Sequence, residues 1–138
     1  MDLPFAENIS YWKTSKSTSG SWLDKAADVI TKLGGEVTMK AEGQQFGRKA
    51  FLIDFQFLPE RFRVIWPVLP TKGNDSKAAE RQAATMLYHD VKAKALKASV
   101  FGAKAAFFEY QLLPDGRTIN QIASVQLLDY LPPALASG

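Results

Sequence analysis

The residues best placed to do chemistry lie between Thr71 and Tyr88, where T-K-G-N-D-S-K-A-A-E-R-Q-A-A-T-M-L-Y runs from a Gly/Asn/Asp/Ser loop into an alanine-rich helical stretch. Lys77 and Arg81 are one helical turn apart and share a face at the start of that helix. The chemistry this offers is anion binding. Free N–H groups and the positive dipole end of a helix attract phosphate, and two side-chain cations add to the field.

Other chemistry is thinly supplied. His89 is the one histidine, and its helical neighbours at i−4 and i+4, Thr85 and Ala93, provide neither a strong acid nor a metal ligand. No G-x-S-x-G, G-K-[ST] or H-E-x-x-H run occurs. Asp24 and Asp28 share a helix face, which a solvated, lysine-flanked surface explains. With no cysteine, thiolate ligands, disulfides and a cysteine nucleophile are absent from this sequence. The expectation is a non-enzymatic protein without metal or cofactor.

The net charge of +3 is mild, and its distribution says more. Val91 to Phe108 holds Lys92, Lys94, Lys97 and Lys104 with no acid, and Arg61, Arg63 and Lys72 have no acidic neighbour between Glu60 and Asp75. If the fold joins these stretches, the local field is strongly positive; if not, they are solvated surface lysines. Arg48 and Lys49 add cations beside Phe46, whose ring would either stack on a base or fold back onto the core.

The elements that must position these groups are set by periodicity. A chain of 138 residues with 46% hydrophobic composition suits one domain. Residues 1–20 read as an arm and a flexible connector, with Phe5, Tyr11 and Trp12 available to dock, and residues 21–138 as a single α+β domain. Ser21 reads as the N-cap of a first helix, Leu23, Ala26, Ala27, Ile30 and Leu33 as its apolar stripe, and Gly34-Gly35 as its stop. No internal repeat is present.

Three strands come next by period two. Val37, Met39 and Ala41 share a face in the first, Phe51, Ile53, Phe55 and Phe57 in the second, and Phe62, Val64, Trp66 and Val68 in the third. Gly43 to Gly47 reads as a loop. A type I turn over Leu58 to Arg61, with Pro59 second, would set Phe57 opposite Phe62 and Phe55 opposite Val64.

The second helix should run from about Ser76 to Phe101 and stop at Gly102. It carries two apolar stripes: Ala84, Leu87, Tyr88, Val91, Ala95 and Ala98, and, opposite, Met86, Ala93, Leu96 and Val100. The second stripe needs cover, from the C-terminal segment or from another subunit. Ala103 to Leu113 is ambiguous between strand and short helix, and Thr118 with Gln121 forms a capping box that opens a last helix, stopped by Pro132-Pro133. The expected architecture is a three-stranded antiparallel meander covered on one face by helices, with an additional C-terminal helix.

The order helix, three strands, helix resembles the double-stranded RNA-binding domain, and Gly73, Ser76, Lys77, Arg81, Ala83 and Ala84 match the pattern that opens its second helix. The pattern departs at Ala78 and Glu80, and the first strand loop has no Gly-Pro-x-His. The resemblance implies that Lys77 and Arg81 reach phosphates, that the first helix lies in a minor groove, and that the loop Glu42 to Arg48 enters the next one. In topology the chain is also similar to ring-forming single-strand annealing proteins of recombination, which set a long helix behind a meander and line a basic groove.

The functional expectation is nucleic-acid binding, RNA or DNA, through backbone contacts by Lys77 and Arg81. Lys92, Lys94 and Lys97 would extend the field, and Arg48, Lys49, Arg61 and Arg63 would form a second basic surface, with Phe46 beside it. The alternative is a structural or interaction module that oligomerises through the second helix. No run is long and apolar enough to span a membrane and no secretory signal is seen, so a cytoplasmic protein is expected, as a possible homo-oligomer.

Overall fold

The computed structural model describes residues 2–122. Helix α1 (Ser19–Lys32), strands β1 (Glu36–Gln45), β2 (Arg48–Phe57) and β3 (Glu60–Pro67), helix α2 (Ser76–Phe101) and the short α3 (Ala103–Ala106) succeed one another along the chain. The sheet is antiparallel with order β1-β2-β3. Both long helices pack on one face of it, giving the expected α+β layering. Among the described residues no helix is long and apolar enough to cross a membrane.

α1 starts earlier than Ser21. Thr18 is the N-cap, its hydroxyl accepting the Ser21 N–H at 3.1 Å. At the other end Gly34 takes φ +92°, and the N–H groups of Gly34 and Gly35 donate to Thr31 and Ile30, a Schellman closure. A Cβ on Gly35 would come within 2.8 Å of both Ile30 and Phe57, so the helix meets the sheet where only glycine fits.

The sheet departs from the expected pattern in three places. A bulge between Val37 and Met39 carries Met39 and Ala41 to the face away from the helices, leaving Lys40 and Glu42 on the helix side. Gly43 to Gly47 is not a loop: the strands continue to a two-residue turn, Phe46-Gly47, with φ 55° and 72°. Both central residues are left-handed, which matches the twist of a hairpin. Between β2 and β3, Phe57 pairs with Glu60 and Phe55 with Phe62, two residues from the expected register, because the strands extend to a connection of two residues, Leu58-Pro59. An even shift leaves the apolar sets facing the helices.

The core gathers Ile53, Phe55, Phe62 and Val64 from the sheet, Ala26 and Ile30 from α1, and Ala83, Ala84, Leu87 and Val91 from α2. Phe107 completes it. The ambiguous segment forms α3 and then a turn of 3-10 helix, Phe108–Tyr110, which drives Phe107 against Phe55 with ring centroids 5.2 Å apart. Isolated bridges then join Phe62 to Gln111 and Leu112 to Thr118. The Thr118/Gln121 capping box forms in both directions, at 2.8 and 3.3 Å, and opens the additional helix. The Pro132-Pro133 stop lies outside the described residues.

The arm docks. Gln82 is buried among Ala78, Ala79 and Ala83, and its Nε2 donates to the carbonyls of Ala6 (2.8 Å), Ser10 (3.1 Å) and Ile9 (3.3 Å). Ala6 also donates to the Pro70 carbonyl at 2.8 Å, and the Glu7 carboxylate accepts from the Lys72 and Gly73 amides. Desolvation pushes the Glu7 carboxyl up, yet its own amide, the Lys72 and Gly73 amides and the Lys72 charge together bring it below the ordinary value.

Gln82→Ala should release the arm and destabilise the fold by about 1–3 kcal/mol, because buried carbonyls lose their donor. Denaturant melts would measure the loss, and hydrogen exchange at Ala6 and Ile9 should rise with it.

Candidate functional site

Three parts of the chain bring cations to one cleft of about 280 Å³ beside the start of α1. Lys16 comes from the segment before α1, Lys49 from the start of β2, and Lys77 and Arg81 from the first turns of α2. Thr18 and Ser19 form the wall at the α1 N-terminus, whose first turn holds no acid. Glu42 and Glu80 also line the cleft, so four cations face two carboxylates.

The carboxylates position the lysines. Lys49 is bound by Glu80 and lies 3.2 Å from Glu42. Hydrogen bonding to Glu80 raises the Lys49 ammonium above the ordinary lysine value, outweighing the lowering by burial, and Glu42 adds to the rise. Lys77 approaches Glu80 only to 3.9 Å and is 84% exposed, so its charge remains available to solvent. Lys16 has no ion pair among the described residues, while Arg81 acts through space on Asp75. Glu80, a departure from the double-stranded RNA-binding pattern, is here the carboxylate that holds Lys49 in place.

The α2 N-terminus is not the open anion site its sequence implies. Asp75 is its N-cap, accepting the Ala78 N–H at 3.0 Å and pairing with Lys13 at 3.1 Å. The Ala78 amide, then Lys13 and the more distant Arg81, hold the Asp75 carboxyl below its usual value. An anion is therefore already seated at this helix end.

The other predicted cations lie elsewhere. Lys92 and Lys97 are exposed far along α2, at about 1.5 Å of rise per residue from Lys77. Lys94 is folded between Asp90 (3.2 Å) and Glu109 (2.5 Å), and Lys104 pairs with Glu60 at 2.7 Å, so the acid-free run is half neutralised by distant acids. Arg61 and Arg63 are on the sheet face away from the helices, where Arg63 grips Asp54 with two hydrogen bonds of 2.7 and 2.9 Å. Arg48 fixes its Nε on the Val68 carbonyl at 2.9 Å. The fold thus does not join the basic stretches into one field, the proposed second surface divides between the two faces of the sheet, and the loop meant to enter a groove is reduced to the turn Phe46-Gly47. Phe46 does not fold back; it is 52% exposed.

His89 has a partner that helical spacing does not reveal. Tyr11 of the arm stacks on it with centroids 4.7 Å apart and planes 9° apart, and Trp22 and Tyr88 lie 6.0 and 5.2 Å away. Among the described residues no group of three His, Asp or Glu side chains is arranged to hold a metal ion. Gln82 is the organising residue that sequence reasoning missed, while Tyr11, read as available to dock, finds its partner in His89. A polar residue inside a stripe of alanines was the available signal for Gln82.

No protein-family model, curated protein or solved structure matches this chain.

His89→Ala should remove the stack at a cost of about 0.5–1.5 kcal/mol in a thermal or denaturant melt. Any activity the protein has should persist, since among the described residues the ring meets aromatic partners and no acid or base; loss of turnover in a folded variant would contradict this.

Proposed function

We propose that this chain binds nucleic acid without enzymatic action, holding the phosphate backbone in the cleft formed by Lys16, Lys49, Lys77 and Arg81. The observation that carries the reading is the convergence of four cations from three separate segments on the acid-free start of α1. Lys77 comes no closer than 3.9 Å to its paired carboxylate, and Arg81 forms no ion pair among the described residues, so phosphate would find both free to bind. Such contacts orient a strand without reading its bases.

Self-association is a second reading with its own observation. No residue of α2 beyond Val91 is buried, and Leu96, Val100 and Phe101 at its far end are 74%, 73% and 68% exposed. Among the described residues, nothing from the C-terminal side of the chain covers this stripe. An interaction module built on this end would join copies through the projecting turns of α2.

The charge reversal Lys77→Glu with Arg81→Glu should weaken binding to unrelated sequences about equally and reduce the slope of log affinity against log salt by about 1 for each phosphate no longer neutralised. Fluorescence anisotropy over a salt series measures both, and unchanged binding by the folded double variant would remove the cleft from consideration.

Leu96→Glu should leave stability within about 0.5 kcal/mol, because the site is exposed. If α2 ends associate, sedimentation should show the wild-type protein as an oligomer and the variant as a monomer; a wild-type monomer at micromolar concentration would end that reading.

A further inference from the structure

We propose that the cleft at the β1–β2 hairpin tip takes an unpaired nucleobase against Phe46 and Phe5, so that the strand held by the phosphate cleft is single-stranded. This rests on the nucleic-acid reading and narrows its ligand.

Phe46 is hard to explain by stability. It occupies φ 55° in a turn that Asn or Gly would make more readily, and a left-handed conformation costs a side-chain-bearing residue about 1–2 kcal/mol. Its ring is 52% exposed and contributes nothing to the core. A strained, exposed aromatic at a hairpin tip is a residue kept for contact.

Phe5 faces the same space. The two rings line one open cleft of about 540 Å³, floored by Leu3 and Pro70. Phe5 is 44% exposed, but the next residue is pinned by the Ala6–Pro70 and Gln82–Ala6 hydrogen bonds, so the ring is presented from an anchored backbone. Cations flank both rings. Lys72 Nζ, steadied by Asn8 at 3.0 Å, sits 5.8 Å from the Phe5 centroid. Arg48 lines the cleft with its Nε fixed on Val68, which leaves its terminal nitrogens to face a phosphate. Asp2 is the acid at the rim. Aromatic faces between cations suit a base and its phosphates better than an apolar peptide, which would need an apolar rim.

The two clefts share no lining residue but meet at adjacent residues of β2. Arg48 lines one and its neighbour Lys49 the other, and alternation along the strand sends their side chains to opposite faces. A strand wrapping around the start of β2, from one face to the other, would place phosphates on Lys49, Lys77 and Arg81 and a base on Phe46. A paired base cannot leave its stack to reach that ring without losing its partner.

The test measures anisotropy of three labelled probes of equal length: a thymidine oligonucleotide, the same backbone with abasic units, and a duplex. Wild-type protein should prefer the thymidine strand to the abasic strand by roughly 5- to 150-fold, the range of one base stacked on an aromatic side chain. Phe46→Gly and Phe5→Ala should each erase most of that preference while leaving abasic and duplex binding unchanged. Because glycine accepts φ 55°, Phe46→Gly should melt at or above the wild-type temperature, which separates removal of a stacking face from damage to the fold. The Lys77→Glu, Arg81→Glu variant should instead weaken all three probes together. Equal wild-type affinity for thymidine and abasic strands, or unchanged thymidine binding by folded Phe46→Gly as expected of a protein-docking cleft, would overturn the base site and leave the phosphate cleft standing. Failure of wild-type protein to bind any probe would overturn both.

Discussion

Gln82 is the constraint on which the rest of the architecture depends. One buried amide gathers three carbonyls of the arm onto α2, and it can do so because its neighbours on that face, Ala78, Ala79 and Ala83, are small enough for a backbone to approach. Three acceptors around one NH2 group leave little freedom in where residues 6–10 lie. The consequences are local. Glu7 ties down Lys72 and Gly73, Tyr11 stacks on His89, Lys13 reaches Asp75, and Phe5 is turned outward opposite the hairpin tip. Each cleft takes part of its lining from the chain on one side of the residues that Gln82 holds, Phe5 before them and Lys16 after them.

A single extra residue in β1 has a comparable effect on the sheet. Without the bulge after Val37, Met39 and Ala41 would face the helices and Lys40 and Glu42 the opposite side. With it, Lys40 reaches Asp24 of α1 at 2.7 Å and Glu42 reaches Lys49. Exposed pairs of this kind contribute little to stability. Their effect is on geometry and field: Glu42 and Glu80 hold Lys49 in the wall of the cleft, and they offset part of a charge that would otherwise attract any polyanion.

Periodicity made the helices and strands legible, since the apolar faces of α1, β2, β3 and the first half of α2 each bury as their spacing predicts. Features that depend on one residue more or less were not legible. The bulge has no compositional mark, the G-Q-Q-F-G run reads as loop although strand pairing overrides that preference, and a connection shortened to Leu58-Pro59 moved the β2–β3 register by two. For the candidate site, Lys77 and Arg81 could be picked out as a pair because both lie on one short helical stretch. Lys94 has a partner on its own helix in Asp90, but its other partner and those of Lys104 and Arg63 come from other elements, so the full dispersal of the basic surface could be seen only once Glu109, Glu60 and Asp54 had positions. Phe5 could not be matched to Phe46 for the same reason.

The two unusual surfaces of this chain, the cleft pair and the exposed end of α2, occupy opposite ends of one rigid helix. Lys77 and Leu96 are separated by about 28 Å at 1.5 Å of rise per residue. Contacts between copies through Leu96, Val100 and Phe101 would therefore leave Lys77 and Arg81 uncovered, so the proposed nucleic-acid binding and self-association would not compete for surface. They would reinforce each other. A single cleft in which Lys16, Lys77 and Arg81 have no close carboxylate among the described residues would offer modest affinity, whereas several copies joined at their α2 ends would present repeated clefts to one strand, and each contact after the first would form at a high effective concentration. In that arrangement the weak field of one domain would be compatible with firm binding by the assembly, and the number of α2 ends joined would set the strength of binding.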